Sequence, residues 1–286
     1  MRGALASVAA LLSASCATLP QPASLPSGAH YVALGSSYAA GANIPPLATD
    51  RPQRCGASQR SYARLLARRL ALDLTDASCG GATTAHLLAA WDELPAQIDA
   101  VRADTRLVTI TVGGNDLNYM GLMFAASCHA GVPVPRPAAS SPEGAAVACP
   151  PLPSPAEADY VALEDRLAIL FAEIHRRAPL ARVILVQYVA LADGSCEAAP
   201  LRPDEAMIAR EVARRLALAS ERAAERGGAE VLPVDRLSAD HTPCSVEPWS
   251  RGLQPGYDGS QGAPWHPTAE GHAAIADELA ALLTQS

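Results

Sequence analysis

Four short segments hold residues whose types suit one kind of chemistry. Gly35-Ser36-Ser37-Tyr38 follows the apolar, β-prone run 31–34, which places two hydroxyls at the carboxyl end of a strand, where open α/β sheets keep their reacting groups. Ser78-Cys79-Gly80-Gly81-Ala82-Thr83-Thr84 is a glycine-rich turn after a weaker strand candidate at 72–77. Gly113-Gly114-Asn115-Asp116 ends the run 106–112, the clearest strand in the chain. Ala263-Pro264-Trp265-His266 leads straight into a closing helix. A hydroxyl, an imidazole and two turns able to present hydrogen-bond donors are the parts that nucleophilic acyl transfer needs. Each part alone also has a plain structural use, as a Gly-Ser turn, a tight turn, a helix cap or a packed histidine.

The elements that must position these residues alternate. Strands are expected at 31–35, 72–77, 106–112, 182–189 and 230–234, the fourth being a near-continuous apolar run of the parallel type. Helices are expected at 61–72, with Arg64, Arg68 and Arg69 facing outward, and at 85–90, 156–177, 203–226 and 268–284. Strand and helix in alternation imply a central parallel sheet covered on both faces, a three-layer α/β/α sandwich. The Pro- and Ala-rich stretch 128–155 shows little periodicity and reads as a surface insertion stapled by its own disulfide.

Of the 286 residues, 49% are hydrophobic but only 4% aromatic, so Ala, Leu, Val and Ile must fill the core. A net charge of -7 without any basic run argues against nucleic acid as a partner. Residues 1–16 resemble a secretory signal, with Arg2 before a short apolar stretch, and 17–28 read as a flexible tether. Ser13-Ala14-Ser15 before Cys16 fits a lipoprotein signal, with a lipidated Cys16 tethering the protein to a membrane; an ordinary signal cut a few residues later is the other reading. Beyond Cys16, the cysteines are Cys55, Cys79, Cys128, Cys149, Cys196 and Cys244, an even number suited to an oxidising compartment. Many pairings are open, and the simplest joins them locally as 55 with 79, 128 with 149 and 196 with 244. No Cys/His spacing suits zinc, and no cofactor is expected.

With all four segments in order, the chain from about residue 31 onward resembles the SGNH (GDSL-type) hydrolases, specifically their disulfide-containing branch of secreted bacterial esterases and lipases. The resemblance implies a flavodoxin-like SGNH hydrolase fold, with 29–286 as the hydrolase domain. Matched residue by residue, it makes Ser37 the nucleophile and His266 the base. The backbone N–H groups of Ser37 and Gly81 and the amide of Asn115 would form the oxyanion hole. Two positions depart from the family pattern. Ser36 stands where the family has Asp, and Ala263 stands where it has the acid three residues before the histidine. An alanine side chain cannot orient an imidazole, so in the branch resembled the Ala263 backbone carbonyl would accept the Nδ1 proton. Asp258, the nearest upstream carboxylate, is the alternative. Asp116 is expected to brace its turn, and His30, His86, His175, His241 and His272 to be structural or on the surface.

The implied function is an exported esterase or lipase acting on carboxylic esters, lipid acyl esters first among them, as a monomer. A carbohydrate O-acetyl esterase or acyltransferase on the same fold is the second reading, with Trp249 and Trp265 as stacking candidates. An inactive exported binding lipoprotein is the third, motivated by the two departures. A histidine base of ordinary pKa would lose activity between about pH 8 and pH 5.

Overall fold

The computed structural model describes residues 25–133, 148–192 and 194–284. The expected signal, Cys16 and most of the tether lie outside the described residues, as does the middle of the expected insertion.

Five parallel strands form one sheet: β1 (His30–Gly35), β2 (Asp73–Asp76), β3 (Thr105–Thr111), β4 (Arg182–Val186) and β5 (Glu230–Leu232). Their order is β2-β1-β3-β4-β5, so the winding direction reverses between β1 and β3. At such a reversal the loops leaving the two strands splay apart and open a crevice at the carboxyl edge. The residues after β1 and β3 are Ser36-Ser37 and Val112-Gly113-Gly114-Asn115. Every residue of β1 is buried, which is why the run is apolar without alternation.

The helices are α1 (Ser37–Ala40), α2 (Tyr62–Leu70), α3 (Thr84–Leu88), α4 (Tyr119–His129), α5 (Glu157–Arg177), α6 (Pro203–Gly227), α7 (Val234–Leu237) and α8 (Ala269–Thr284). Helix α2 packs against α8, and α5 against α6, giving the helical layers of a three-layer α/β/α sandwich. Three features differ from the sequence reading. Helix α4 was not anticipated, because buried Tyr119, Leu122, Met123, Ala125, Ala126 and Ser127 spread around its circumference and leave no polar stripe to mark a period. Strand β4 is also shorter than the run 182–189, which continues into the site as irregular chain. Arg64, expected to face outward, turns inward instead. Its Nε donates to Asp76 Oδ2 at 3.1 Å and its second guanidinium nitrogen reaches Asp50, because the buried Asp76 needs a cation.

With two Phe in the whole chain, tyrosines do much of the large-volume packing. Tyr31, Tyr38, Tyr62, Tyr119, Tyr160 and Tyr188 are all buried. Two of them tie strand β1 and helix α2 to β3, through Tyr31 Oη and Thr109 Oγ1 at 2.6 Å and Tyr62 Oη and Thr111 Oγ1 at 2.9 Å. A buried phenol must find such a partner, so each tyrosine fixes position as well as filling space.

The disulfides pair locally, as Cys55–Cys79, Cys128–Cys149 and Cys196–Cys244. Cys55–Cys79 joins the chain after α1 to the turn after β2, Cys128–Cys149 joins the last turn of α4 to the chain before α5, and Cys196–Cys244 joins the chain after β4 to that after α7. Full reduction should lower the melting temperature, each bridge contributing about 2–4 kcal/mol; a melting curve unchanged under reductant would contradict this.

Candidate active site

Strand β1 ends at Gly35, whose φ of +135° is a conformation open to glycine, and whose missing Cβ would stand 2.3 Å from the Thr111 carbonyl oxygen. The Gly35 peptide is clamped by buried Gln97, whose Oε1 accepts the Gly35 N–H at 2.7 Å and whose Nε2 donates to the Gly35 carbonyl at 3.0 Å. The chain then turns into α1, with Ser36 as its N-cap and Ser37 as its first residue. Ser37 is half-buried and Ser36 fully buried, which gives the two adjacent hydroxyls different prospects.

Ser37 Oγ lies 2.8 Å from His266 Nε2. His266 Nδ1 donates to the Pro264 carbonyl at 2.8 Å, which leaves Nε2 unprotonated and able to accept the serine proton. The carbonyl therefore belongs to Pro264, not to Ala263 as the sequence reading had it. The reason is local geometry: Trp265 is left-handed, with φ +59°, and this reversal brings the carbonyl two residues upstream back onto the ring. The Ala263 backbone is engaged elsewhere, its N–H donating to the Ala42 carbonyl at 2.7 Å. Asp258 is exposed and accepts from the Ser260 N–H at 2.9 Å, turned to its own loop.

A left-handed tryptophan costs about 1–2 kcal/mol relative to the right-handed form, so its surroundings must hold it. Trp265 is completely buried, its indole N–H donates to Ser127 Oγ on α4 at 2.9 Å, and its carbonyl accepts the Tyr38 hydroxyl. The segment is also paired to residues 249–251, through Trp265 N–H to the Arg251 carbonyl and Arg251 N–H to the His266 carbonyl, both at 2.9 Å. The Tyr38 ring packs against the His266 ring at 4.7 Å. Burial pushes the His266 pKa down to about 4, opposed by the Pro264 carbonyl; His272, buried on α8 beside Tyr62, is pushed down to about 3 by burial and by His266.

The other two segments meet beside this pair. Gly81, at φ +83°, is exposed in a turn fastened to β1 by Cys79 N–H on the Gly35 carbonyl at 3.0 Å, and to the neighbouring loop by Cys55–Cys79. Asn115 Nδ2 donates to the Ala82 carbonyl at 2.9 Å, which orients the amide across the Gly81 turn. It does not cap α4, whose N-cap is Asn118. Asp116 accepts from the Thr84 backbone N–H at 3.0 Å and from Arg166, bracing the turn onto α3. Gln97, Tyr38 and Tyr188 belong to none of the four segments' reacting groups, and only Tyr38, adjacent to the serine, has a positional hint in the sequence.

The chain matches the GDSL-like lipase/acylhydrolase family over residues 33–274. It is 32% identical to Lipase 2 of Streptomyces coelicolor over 254 residues, covering 86% of this chain and 83% of that protein. It is 29% identical to a lipase of Streptomyces rimosus, covering 84% and 81%. In fold it is similar to phospholipase A1 from Streptomyces albidoflavus, with a TM-score of 0.68 at 21% identity over 89% of this chain and 99% of that one. The extracellular lipase of Streptomyces rimosus gives 0.66 at 24% identity, over 87% and 99%.

The two depressed histidines set a pH dependence of stability. An unfolded imidazole has a pKa of about 6.5, so below that value the unfolded chain binds protons that the folded chain refuses. Their contribution is complete above about pH 6.5 and is lost as pH falls towards about 4 and about 3. The melting temperature should decline on acidification from about pH 6.5 to pH 4, and a level curve over that range would refute the burial argument. Family match, relatives and fold agree: the chain belongs to the GDSL-like lipase/acylhydrolase family and is a carboxylic ester hydrolase.

Proposed function

We propose that the protein is an exported serine esterase that cleaves lipid acyl esters through a Ser37–His266 dyad. The observation that carries this reading is the relay of Ser37 Oγ, His266 and the Pro264 carbonyl, with 2.8 Å at each link. Ser37 Oγ attacks the ester carbonyl carbon while its proton passes to His266 Nε2. The resulting oxyanion is held by the N–H groups of Ser37 and Gly81 and by the Asn115 amide. An amide NH2 has two hydrogens, so one can stay on the Ala82 carbonyl while the other faces the substrate. His266 then gives its proton to the leaving alkoxide, and water repeats the sequence on the acyl-enzyme to release the carboxylic acid. The Pro264 carbonyl carries only a partial negative charge, and no carboxylate is needed to fix the tautomer.

Similarity to lipases supports acyl esters as the substrate class. The carbohydrate reading loses one of its two stacking candidates. Trp265 is buried and supports the loop, and the Trp249 ring is stacked on His241 at 4.7 Å. The disulfides and the exported character of the expected leader support an extracellular or envelope location, with lipidation of Cys16 still the route to a membrane tether.

Hydrolysis of p-nitrophenyl esters from acetate to palmitate tests the reading. Activity should rise beyond acetate, and strict acetyl preference would sink the lipid assignment. Ser37→Ala should lower kcat by at least about a thousandfold, His266→Ala similarly, and the double variant no further, because the pair acts as a unit. Asn115→Ala should cost about 3 kcal/mol, roughly a hundredfold in kcat. Mass spectrometry after an organophosphonate should find the adduct on Ser37 alone. Because His266 must be neutral to accept a proton and its pKa lies at about 4, the acid limb of kcat/KM should fall near pH 4. That replaces the sequence expectation of a decline between about pH 8 and pH 5. Asp258→Ala should leave kcat within about twofold of wild type, and a larger loss would restore a carboxylate to the mechanism.

A further inference from the structure

Tyr188 stands just past β4, where the turns carrying Ser37 and Asn115 approach each other. Its Oη accepts the Gly114 N–H at 2.9 Å and lies 3.4 Å from Ser36 Oγ. Ser36 Oγ in turn reaches the Thr111 carbonyl at 3.4 Å. The Tyr188 ring packs on that of Tyr38 with centroids 4.3 Å apart, and Tyr38 touches both the His266 ring and the Trp265 carbonyl.

The Gly114 N–H can only donate, and the Thr111 carbonyl can only accept. The arrangement in which every hydrogen finds an acceptor has Ser36 donating to Thr111, whose carbonyl also takes the Ser36 N–H at 2.9 Å, and Tyr188 donating to the Ser36 oxygen. Burial pushes the phenol up to about 12, so it stays a neutral donor. The fit leaves no room for a side chain at 114, where a Cβ would stand 2.8 Å from Oη and from the ring. The family's Asp at position 36 would bring a charge to a buried spot facing the Thr111 carbonyl, with no hydrogen to offer it. Ser36 and Tyr188 together link the two turns without a charge.

We propose that Tyr188 is a positioning residue for ester hydrolysis: by bridging Gly114 N–H and Ser36 Oγ it fixes the spacing between the nucleophile turn and the oxyanion turn. The proposal rests on the assignment of Ser37 as nucleophile and Asn115 as oxyanion donor. Asn115 directly follows Gly114 and Ser37 directly follows Ser36, so a shift at the phenol is passed on by one peptide unit on each side. Misplacement of a reacting group by about 1 Å can cost about a hundredfold in rate. Tyr188→Phe keeps the ring and its packing on Tyr38, so substrate binding should be little affected.

The experiment compares wild type, Tyr188→Phe, Ser36→Ala and the double variant. Its readouts are kcat and KM on p-nitrophenyl butyrate, the second-order rate of phosphonylation, and the melting temperature. Tyr188→Phe should lower kcat about tenfold or more, with KM changed by less than about twofold. Phosphonylation, which passes through a similar geometry at Ser37, should slow by a matching factor. Ser36→Ala should show a smaller loss of the same kind, and the double variant should be no slower than Tyr188→Phe, since one break already opens the chain. Wild-type kcat in Tyr188→Phe, a fall in melting temperature alone, or losses that multiply in the double variant would each overturn the proposal. Should Tyr188→Phe fail to fold, Gly114→Ala displaces the phenol from the other side. The same kcat-selective loss is expected there, and an unchanged kcat again overturns the proposal. A wild type inert to both ester and phosphonate overturns the Ser37 assignment and this proposal with it, whereas a reactive wild type with a silent Tyr188→Phe overturns this proposal alone.

Discussion

The contact between Ser37 Oγ and His266 Nε2 joins positions 229 residues apart, and neither lies on a long rigid element. Ser37 opens a four-residue helix, and His266 sits in irregular chain before α8. A hydrogen bond of this kind is directional, so a small rotation of either turn would break it. Much of the surrounding architecture restrains those rotations. Gln97 grips the peptide before the serine, Tyr38 and Ser127 grip the residue before the histidine, and Pro264 fixes the ring from behind. The sheet delivers the turns to one edge, and side chains set the last fraction of an ångström.

Those restraints come largely from phenols. A core built from Ala, Leu and Val packs densely but offers no hydrogen bonds, so directional restraint has to come from polar side chains. In this chain Tyr31 and Tyr62 reach β3 through threonine hydroxyls, and Tyr38 and Tyr188 do the corresponding work at the carboxyl edge. Scarcity of aromatic residues thus coincides with a double use of those present.

The strands, most of the helices and the four segments of the site were legible because each rests on a local signal. Apolar runs that end in glycine mark the strand exits, and amphipathic spacing marks α5 and α6. What was not legible depends on partners distant in the chain. Helix α4 lost its period by being buried on several sides, and Arg64 turned inward because Asp76, twelve residues on, is buried. The error of one residue between Ala263 and Pro264 has the same character. It follows from a left-handed Trp265, which no propensity favours and which the Ser127, Tyr38 and Arg251 contacts make acceptable. Gln97 carries no motif because its work is done on backbone groups, and Tyr188 carries none because its partners lie 74 and 152 residues away in the chain.

The buried, carboxylate-free setting of His266 also bears on what accumulates as an ester is consumed. Each turnover liberates a carboxylic acid, whose pKa of about 4 resembles that of a glutamic side chain. In a poorly buffered film or droplet the surroundings acidify towards that value as product builds up. A solvated imidazole would be protonated long before, and an enzyme relying on one would shut itself off. An imidazole whose pKa lies at about 4 remains an acceptor until the medium is nearly as acidic as the product can make it. The same burial that narrows the fold's tolerance of acid thus spares the proposed base from inhibition by its own product.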